Sequence, residues 1–458
     1  MKGQSLIKAD RISRRHALRT ALAMGTSGYL QAIGVAKGTK PRMRRFRLSA
    51  QGCGRATGYA EANKIVTRGQ RTHVAWLDSP PDGFRVRVRT LDHGSGEWSP
   101  AYTVGQAHDN HGGPALTIDR EGFLHVAYYP HHHAMRYRKS KRPGDGSEWG
   151  PELTFGQRLT YPTLVCGQDN TLYLTARRSF SDRPWRVELW KRPGGKETWR
   201  GGQALLASRY PGYAHFQESL AWGRDHRTLH LCCRFHEKTD DKGYGRLQAV
   251  AYLVSPDAGR SWRRSDGVEV SLPATADSAE ILASGGVDHA RVLRAGAMAV
   301  DPSGRPHLVY SVQEEGHSQL LVASPRGDGN WHRIDLTKFL PDQWSSWNLM
   351  APAGITFTAG GDMVVTAQIQ IPREGESSWG NPTNEVVAFR SQDGRDKFSC
   401  SLISELDREQ SHWLPNIERA TGHHPVPRDP GIIYTAGRPG AKNTERLSNQ
   451  VFFAVAQA

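Results

Sequence analysis

Residues 111–131, HGGPALTIDREGFLHVAYYPH, contain the pattern that decides the fold of this chain. An apolar run at 114–118 precedes a tight turn at 119–122, and a second apolar run follows at 123–128. Two short apolar runs separated by a turn of this composition predict a β-hairpin. The end of the second strand of a hairpin returns to the start of the first, so residues that flank the two runs are expected to lie close together.

Reactive side chains flank this hairpin and the next one at matching places. His111 and His131 flank the first hairpin, and Tyr161 and Arg177 flank the turn at 167–170 in the next unit in the same way. If the two hairpins are neighbours, two imidazoles, a phenol and a guanidinium lie on one surface. Groups of these types transfer protons and bind anions.

A short β-run recurs seven times along the chain. The copies lie at 73–76, 125–128, 173–176, 230–233, 307–310, 363–366 and 432–435. With 48 glycines and 26 prolines to supply turns, this repeat predicts a single all-β domain, a seven-bladed β-propeller. The alternative is a pair of packed β-sandwiches. The last strand, 450–456, is expected to pair with 45–49 and so to close the ring.

Residues 255–262, SPDAGRSW, fit the pattern S-x-D-x-G-x-x-W of an Asp box, which is a turn between outer strands of sialidase-like propellers. We expect Asp257 to have a structural role in this turn. The motif is a marker of the fold and carries no information about catalysis.

The first 36 residues are predicted to be an export signal. The sequence SRRHAL at 13–18 resembles a twin-arginine motif, and a weakly apolar run at 21–36 follows it. This run is too short and too polar for a stable membrane span. A basic amphipathic helix is the alternative. Residues 37–458 are then the folded domain, and we expect it to be exported to the periplasm or the medium as a monomer without membrane attachment.

The chain has a formal net charge of +15 and stays basic without its first 36 residues. An exported protein has no routine access to nucleic acid, and the sequence has neither a helix-turn-helix nor a zinc-finger spacing. The charge therefore favours an anionic ligand outside the cell over a nucleic acid partner. A diffuse charge that only aids solubility is the alternative.

Five cysteines without a CxxC pair define no disulfide framework. The segment HLCCRFH at 230–236 could supply zinc ligands, but alternation along a strand would send Cys232 and Cys233 to opposite faces. Buried cysteines in a strand are the favoured interpretation. We expect that catalysis requires no cofactor. The sequence leaves open whether a structural zinc or calcium ion is bound.

The stretch 109–140, from DNHGGP to YRKS, resembles the BNR-repeat propeller family that includes the ulvan lyases. The Tyr-Pro pair at 161–162 and the arginine at 177 are similar to the next blade of that family. The resemblance implies an active-site cleft lined by His111, His131, Tyr161 and Arg177. His131 is preferred over its neighbours His132 and His133 because its spacing from Tyr137 fits the family pattern. The family usually has asparagine after the first histidine, and Gly112 here removes a side chain that could orient the imidazole or touch substrate.

The resemblance implies β-elimination on a uronate-containing acidic polysaccharide similar to ulvan. This reaction removes the proton at C5, which is α to the carboxylate, and protonates the leaving glycosidic oxygen. Arg177 can clamp the carboxylate through two parallel hydrogen bonds. We assign Tyr161 as the acid and also as a base, with His111 sharing the base role, because nearby cations lower the pKa of a tyrosine.

The hairpin around the turn at 223–227 offers further substrate-binding residues. These are His215, Arg234 and His236, which occupy the two ends of that hairpin.

Two other functions stay open, namely a sialidase-like glycoside hydrolase, which the Asp box favours, and a non-catalytic glycan-binding propeller. A hydrolase needs paired carboxylates or a tyrosine nucleophile with a glutamate partner, and the region after Arg55 has no Arg-Ile-Pro-like motif.

Overall fold

The computed structural model describes residues 43–238, 247–285, 291–327, 329–373, 377–392 and 396–456. The export signal predicted at 1–36 lies outside the described residues and stays a prediction. The described chain is all-β apart from two short 3-10 helices, Leu336–Phe339 and Asp342–Trp344. Within the described ranges, no helix has the length and apolar character that crossing a membrane requires.

The strands are numbered in chain order. The first thirteen are β1 (Met43–Gly52), β2 (Ile65–Arg68), β3 (Arg71–Asp78), β4 (Phe84–Asp92), β5 (Tyr102–Ala107), β6 (Ala115–Ile118), β7 (Leu124–Tyr128), β8 (His131–Arg142), β9 (Asp145–Trp149), β10 (Leu153–Cys166), β11 (Leu172–Arg178), β12 (Pro184–Arg192) and β13 (Arg200–Pro211).

The remaining strands of the described chain are β14 (Ala214–His215), β15 (Ser219–Trp222), β16 (Leu229–Glu237), β17 (Leu247–Ser255), β18 (Glu280–Ser284), β19 (Arg291–Val300), β20 (Pro306–Glu314), β21 (His317–Pro325), β22 (Trp331–Asp335), β23 (Asn348–Phe357), β24 (Met363–Gln370), β25 (Glu385–Ser391), β26 (Ser399–Leu402), β27 (Ser411–Ile417), β28 (Ile432–Gly437) and β29 (Asn449–Ala456).

Among the described residues, the strands form five hydrogen-bonded sheets, of eight, eight, five, four and four strands. Each eight-stranded sheet consists of two smaller groups joined at one point. In the first, β1 meets β3 through the pair Gly52 and Asp78. In the second, the long strand β10 pairs with β8 along Leu153–Thr160 and with β11 along Leu159–Cys166. The long strand therefore fixes two neighbouring hairpins relative to each other.

All seven predicted β-runs lie on strands, namely β3, β7, β11, β16, β20, β24 and β28. Each is the second strand of a hairpin, and most of its residues are buried on both faces. A strand that is covered on both faces is apolar almost continuously rather than at alternate positions. This burial explains why the repeat is visible in the sequence as short apolar runs.

The two ends of the described chain pair with each other. β1 runs antiparallel to β29, with Phe46 opposite Phe453 and Arg45 opposite Ala454. The Trp98 ring packs against both phenylalanines, with ring centroids 6.0 Å from Phe46 and 5.1 Å from Phe453. The predicted pairing of the last strand with 45–49 is confirmed.

The Asp box forms the turn that follows β17. Asp257 Oδ1 accepts hydrogen bonds from the backbone of Arg260 and Ser261, and its Oδ2 accepts one from the Ser261 hydroxyl. The Trp262 side chain at the end of the motif is buried. These bonds hold the turn, so the predicted structural role of Asp257 is confirmed.

Three buried histidines predict a loss of stability in mild acid. Burial lowers the pKa of His73, His230 and His424 from the ordinary 6.5 to about 4. One nitrogen of each ring is buried without a hydrogen-bond partner among the described residues, so an added proton would have no acceptor. Below pH 6.5 these three histidines therefore bind more protons in the unfolded chain than in the folded chain, and their contribution to the free energy of unfolding decreases as the pH falls.

We expect the midpoint temperature of thermal unfolding to be lower at about pH 5 than at about pH 7. Each histidine lowers the free energy of unfolding by up to about 1.4 kcal/mol per pH unit. Circular dichroism at the two pH values measures this fall. The exposed His317 offers a matched control, and His317→Gln should leave the pH dependence unchanged. Equal midpoints at both pH values would contradict the prediction.

Candidate active site

The two predicted hairpins are neighbours in one sheet, and their flanking side chains meet. β7 and β11 are joined through β8 and β10. The His111 and His131 rings are stacked with centroids 3.9 Å apart, and the His111 ring is 5.9 Å from the Tyr161 ring. Arg177 Cζ lies 4.7 Å from the centroid of Tyr161. The structure therefore brings together all four residues that the sequence placed in a cleft.

Tyr161 enters the site from an irregular position in β10. The register with β11 shifts between Thr160 and Thr163, and Tyr161 has a φ of 59°. A left-handed backbone at a residue other than glycine costs on the order of 1 kcal/mol or more and persists where the surroundings enforce it. This bulge interrupts the alternation of the strand and allows the phenol to contact both His111 and Arg177.

Asp109, which the sequence analysis did not place in the site, anchors both imidazoles. Its Oδ1 lies 3.2 Å from His111 Nδ1, and its Oδ2 lies 2.6 Å from His131 Nδ1. Burial raises the pKa of Asp109, but the hydrogen bonds from the two histidines outweigh it and hold the pKa well below its usual range. Asp109 is thus an ionised carboxylate that orients two rings through their Nδ1 atoms.

Arg55 and Tyr59 are further site residues that the sequence analysis missed. Arg55 Nη1 donates a hydrogen bond to the Tyr59 hydroxyl and another, 2.5 Å long, to His111 Nε2. Burial, together with the positive charge of Arg55, lowers the pKa of His111 to about 3 against the opposing effect of the hydrogen bond to Asp109. His111 is therefore a neutral imidazole, with Asp109 at one nitrogen and Arg55 at the other.

The phenol of Tyr161 is protonated. Burial raises its pKa above the ordinary 10, and the positive charges of Arg177 and Arg55, together with a hydrogen bond from Tyr59, do not compensate. The expectation that nearby cations make Tyr161 a base is therefore not supported, because desolvation opposes ionisation more strongly than the cations favour it. A protonated phenol in this position can act as a proton donor.

Arg177 lies in a box of aromatic rings. Its Cζ is 4.7 Å from the Tyr161 centroid, 4.8 Å from Trp185 and 5.6 Å from Tyr213. Its Nη1 donates to the carbonyl of Ala214 at 3.4 Å, and the residue is 1% exposed. The aromatic faces stabilise the positive charge without neutralising it, so the guanidinium can still attract an anion.

The three predicted substrate-binding residues also lie beside the site. The His215 ring is 5.0 Å from Tyr161, and its Nδ1 is 3.1 Å from Arg234 Nη2. His236 is paired with His215 across β14 and β16. Burial lowers the pKa of His215 well below its ordinary value, and Arg234 and Arg177 lower it further. The hairpin of β16 thus adds an arginine and two histidines to this side of the site.

The structure separates the roles of the three consecutive histidines. His131 binds Asp109, whereas His132 Nδ1 lies 2.7 Å from Ser179 Oγ and the His133 ring contacts that of His108 in a tilted arrangement with centroids 4.0 Å apart. His131 is therefore the one that shares a carboxylate with His111, in agreement with the preference stated from the sequence.

Gly112 packs closely against the backbone. A Cβ at this position would be 2.7 Å from the Tyr129 carbonyl oxygen and 2.7 Å from the Ala107 Cβ, so no side chain fits there without a shift. The His111 ring is oriented instead by Asp109 Oδ1.

Three residues of the candidate active site are also possible metal ligands. Among the described residues, Asp109, His111 and His131 place potential ligand atoms within 4.8 Å of one another. The hydrogen bonds from both rings to Asp109 account for this proximity.

In the segment considered for zinc, Cys232 and Cys233 pack into different apolar clusters, and His230 and His236 are about 20 Å apart along β16. One ion therefore cannot bind both of these histidines.

Antiparallel sheets that bring polar residues together at the ends of their hairpins define an all-β protein with a β-propeller-like fold. The sequence profile of the BNR repeat-containing family matches residues 71–339, and the chain belongs to this family. The chain is 23% identical over 409 residues to an ulvan lyase of Nonlabens ulvanivorans, with 79% of this chain and 81% of that protein covered. It is 21% identical over 282 residues to the ulvan lyase PL25 of Pseudoalteromonas sp. strain PLSV, with 52% and 55% covered.

Solved structures show the same likeness in the fold. A structure of the polysaccharide lyase PL25 ulvan lyase superimposes with a TM-score of 0.68 at 15% identity and covers 89% of this chain and 95% of that chain. A second structure, described as this lyase bound to -[GlcA(1-4)Rha3S]-, superimposes with a TM-score of 0.68 at 14% identity and the same coverage. The chain is thus a distant homologue of the ulvan lyases.

Proposed function

We propose that this protein is a polysaccharide lyase that cleaves a uronate-containing acidic polysaccharide by β-elimination. The observation that carries the proposal is the contact, in one site, of a buried guanidinium, a protonated phenol and a pair of imidazoles anchored by a carboxylate. The distant homology to ulvan lyases, one of them described with a bound uronate-containing saccharide, supports it.

Arg177 binds the substrate carboxylate in the proposed reaction. Removal of the C5 proton moves negative charge onto that carboxylate, and a guanidinium can hold both of its oxygens. The aromatic box fixes the direction of the side chain before substrate binds. Arg177 therefore stabilises the substrate and, more strongly, the enolate-like transition state.

His111 takes the C5 proton. It is neutral, so Nε2 can accept a proton once the hydrogen bond from Arg55 is exchanged for substrate. Asp109 stabilises the imidazolium that forms, since it already accepts a hydrogen bond from Nδ1.

Tyr161 donates its proton to the glycosidic oxygen. As the C5–H and C4–O bonds break, a C4–C5 double bond forms, and the leaving sugar receives the phenolic proton. The phenolate that remains is stabilised by the charges of Arg177 and Arg55, both of which act on this hydroxyl. The proton on His111 then restores the phenol before the next cycle.

We propose seven blades for the whole fold. In this proposal each of the seven repeated runs lies in one blade, each eight-stranded sheet comprises two blades, and β1 completes the last blade with β27, β28 and β29. Residues 37–458 form this single catalytic domain, and residues 1–36 direct it to the periplasm or the medium as a monomer. Its partner is an acidic polysaccharide, and its basic charge supports this choice over nucleic acid.

Incubation of the purified protein with ulvan, polyglucuronate and sialosides tests the proposed function. We expect ulvan or polyglucuronate to give products that absorb in the ultraviolet, because elimination leaves an unsaturated uronate. New reducing ends without this absorbance would instead identify a hydrolase, and binding without cleavage would identify a glycan-binding protein. Either of these results overturns the proposal.

A further inference from the structure

Trp379 exposes part of its indole to solvent. The residue is 39% exposed, whereas Trp413, which its ring contacts edge-on at 4.6 Å, is 1% exposed. Gly380 follows with a φ of 66° and lies so close to Pro439 that a Cβ would be 2.3 Å from the proline ring. The buried tryptophan and this close packing hold the exposed indole in a fixed orientation.

The exposed indole adjoins the candidate active site through a single side chain. Arg55 Cζ lies 4.8 Å from the Trp379 ring centroid, and Nη1 of the same guanidinium donates to His111 Nε2. The Arg55 guanidinium therefore lies between the Trp379 ring and the proposed base, His111. Arg177, with its own aromatic rings, contacts Tyr161, whose ring lies 5.9 Å from that of His111.

We propose that Trp379 and Arg55 form a second substrate subsite, which binds the sugar next to the cleaved bond. This inference rests on the proposed function. The C–H face of a pyranose stacks on an indole, and a guanidinium binds an anionic substituent of the sugar, either a carboxylate or a sulfate ester. Two guanidiniums in one site, one at His111 and one at Tyr161, match the repeated negative charge of an acidic polysaccharide.

The kinetics of Trp379→Ala test the subsite. We expect KM for the cleaved polysaccharide to rise by about tenfold and kcat to stay within about twofold, because the indole contacts a neighbouring sugar and not the reacting atoms. Trp379→Phe keeps an aromatic face and should restore most of the affinity. Val268→Ala, at an apolar residue that is 51% exposed beside the Asp box, is the matched control and should change neither constant.

Affinity electrophoresis in gels that contain ulvan, desulfated ulvan or polyglucuronate measures glycan binding independently of cleavage. It therefore tests the subsite separately from the proposed lyase function. We expect Trp379→Ala to be retarded less than the wild type, and a loss confined to sulfated ulvan identifies the anion as a sulfate ester. If the wild type binds without cleaving, the lyase proposal fails and the subsite is still tested. Unchanged KM and retardation in Trp379→Ala, or no binding of any of the three glycans by the wild type, would overturn the subsite.

Discussion

Tyr161→Phe is expected to lower lyase turnover by about 10²–10⁴-fold while KM changes little. The substitution removes one hydroxyl and keeps the ring that contacts His111, Arg177 and His215. Because the pKa of Tyr161 is raised, the hydroxyl is present as a proton donor at neutral pH, and its loss affects the departure of the leaving sugar rather than substrate binding. Initial rates of ultraviolet absorbance over a range of substrate concentrations measure both constants.

Tyr173→Phe is the matched control for this variant. Tyr173 lies on β11 of the same hairpin, opposite Val165 and away from the site, so its substitution should leave both constants unchanged. A Tyr161→Phe enzyme within a few-fold of the wild type would show that the phenol is not the acid. If His111→Ala were inactive at the same time, the imidazole would have to carry the proton transfer.

Arg177→Ala is expected to lower kcat by about 10²–10³-fold and to raise KM by about tenfold. Its guanidinium holds the carboxylate in the bound substrate and, more strongly, in the transition state, so both constants change. Steady-state kinetics measure the two effects. Arg177→Lys keeps the charge without the two parallel hydrogen bonds and should give intermediate values.

Controls for Arg177→Ala must show that the fold survives, because the residue is 1% exposed. A small guanidinium compound added to the variant should restore part of its turnover by occupying the vacated aromatic box. Arg178→Ala is the matched variant, since the neighbouring arginine pairs with Glu188 at 3.0 Å and not with the site residues. A folded Arg177→Ala enzyme with unchanged kcat would contradict the assigned role.

Local patterns in the sequence were sufficient to predict the strands and half of the site. His111, His131, Tyr161 and Arg177 each flank a hairpin turn at a symmetric distance, and hairpin geometry alone brings each pair together. Antiparallel pairing also explains why the last strand could be assigned to the first one, since an unpaired edge strand needs a partner.

The other half of the site depends on contacts between distant parts of the chain. Arg55 is 56 residues from His111, and the Trp379 ring contacts Arg55, which in turn binds His111. No short-range spacing encodes such contacts. Asp109 was visible two residues before His111, but a single acidic residue beside a histidine is common in turns, and its bond to His131 required the folded hairpin. The raised pKa of Tyr161 depends on burial, which the sequence does not quantify.

Pairing of β1 with β29 has a consequence for biosynthesis. Of the described strands, β1 is translated first, and its partner strand β29 is translated last. Until then Phe46 and Trp98 lack Phe453, which packs against them in the finished sheet. Until β29 is made, the backbone groups of β1 that pair with it have no partner strand, and a product that stops short of residue 449 exposes this edge and is prone to aggregation.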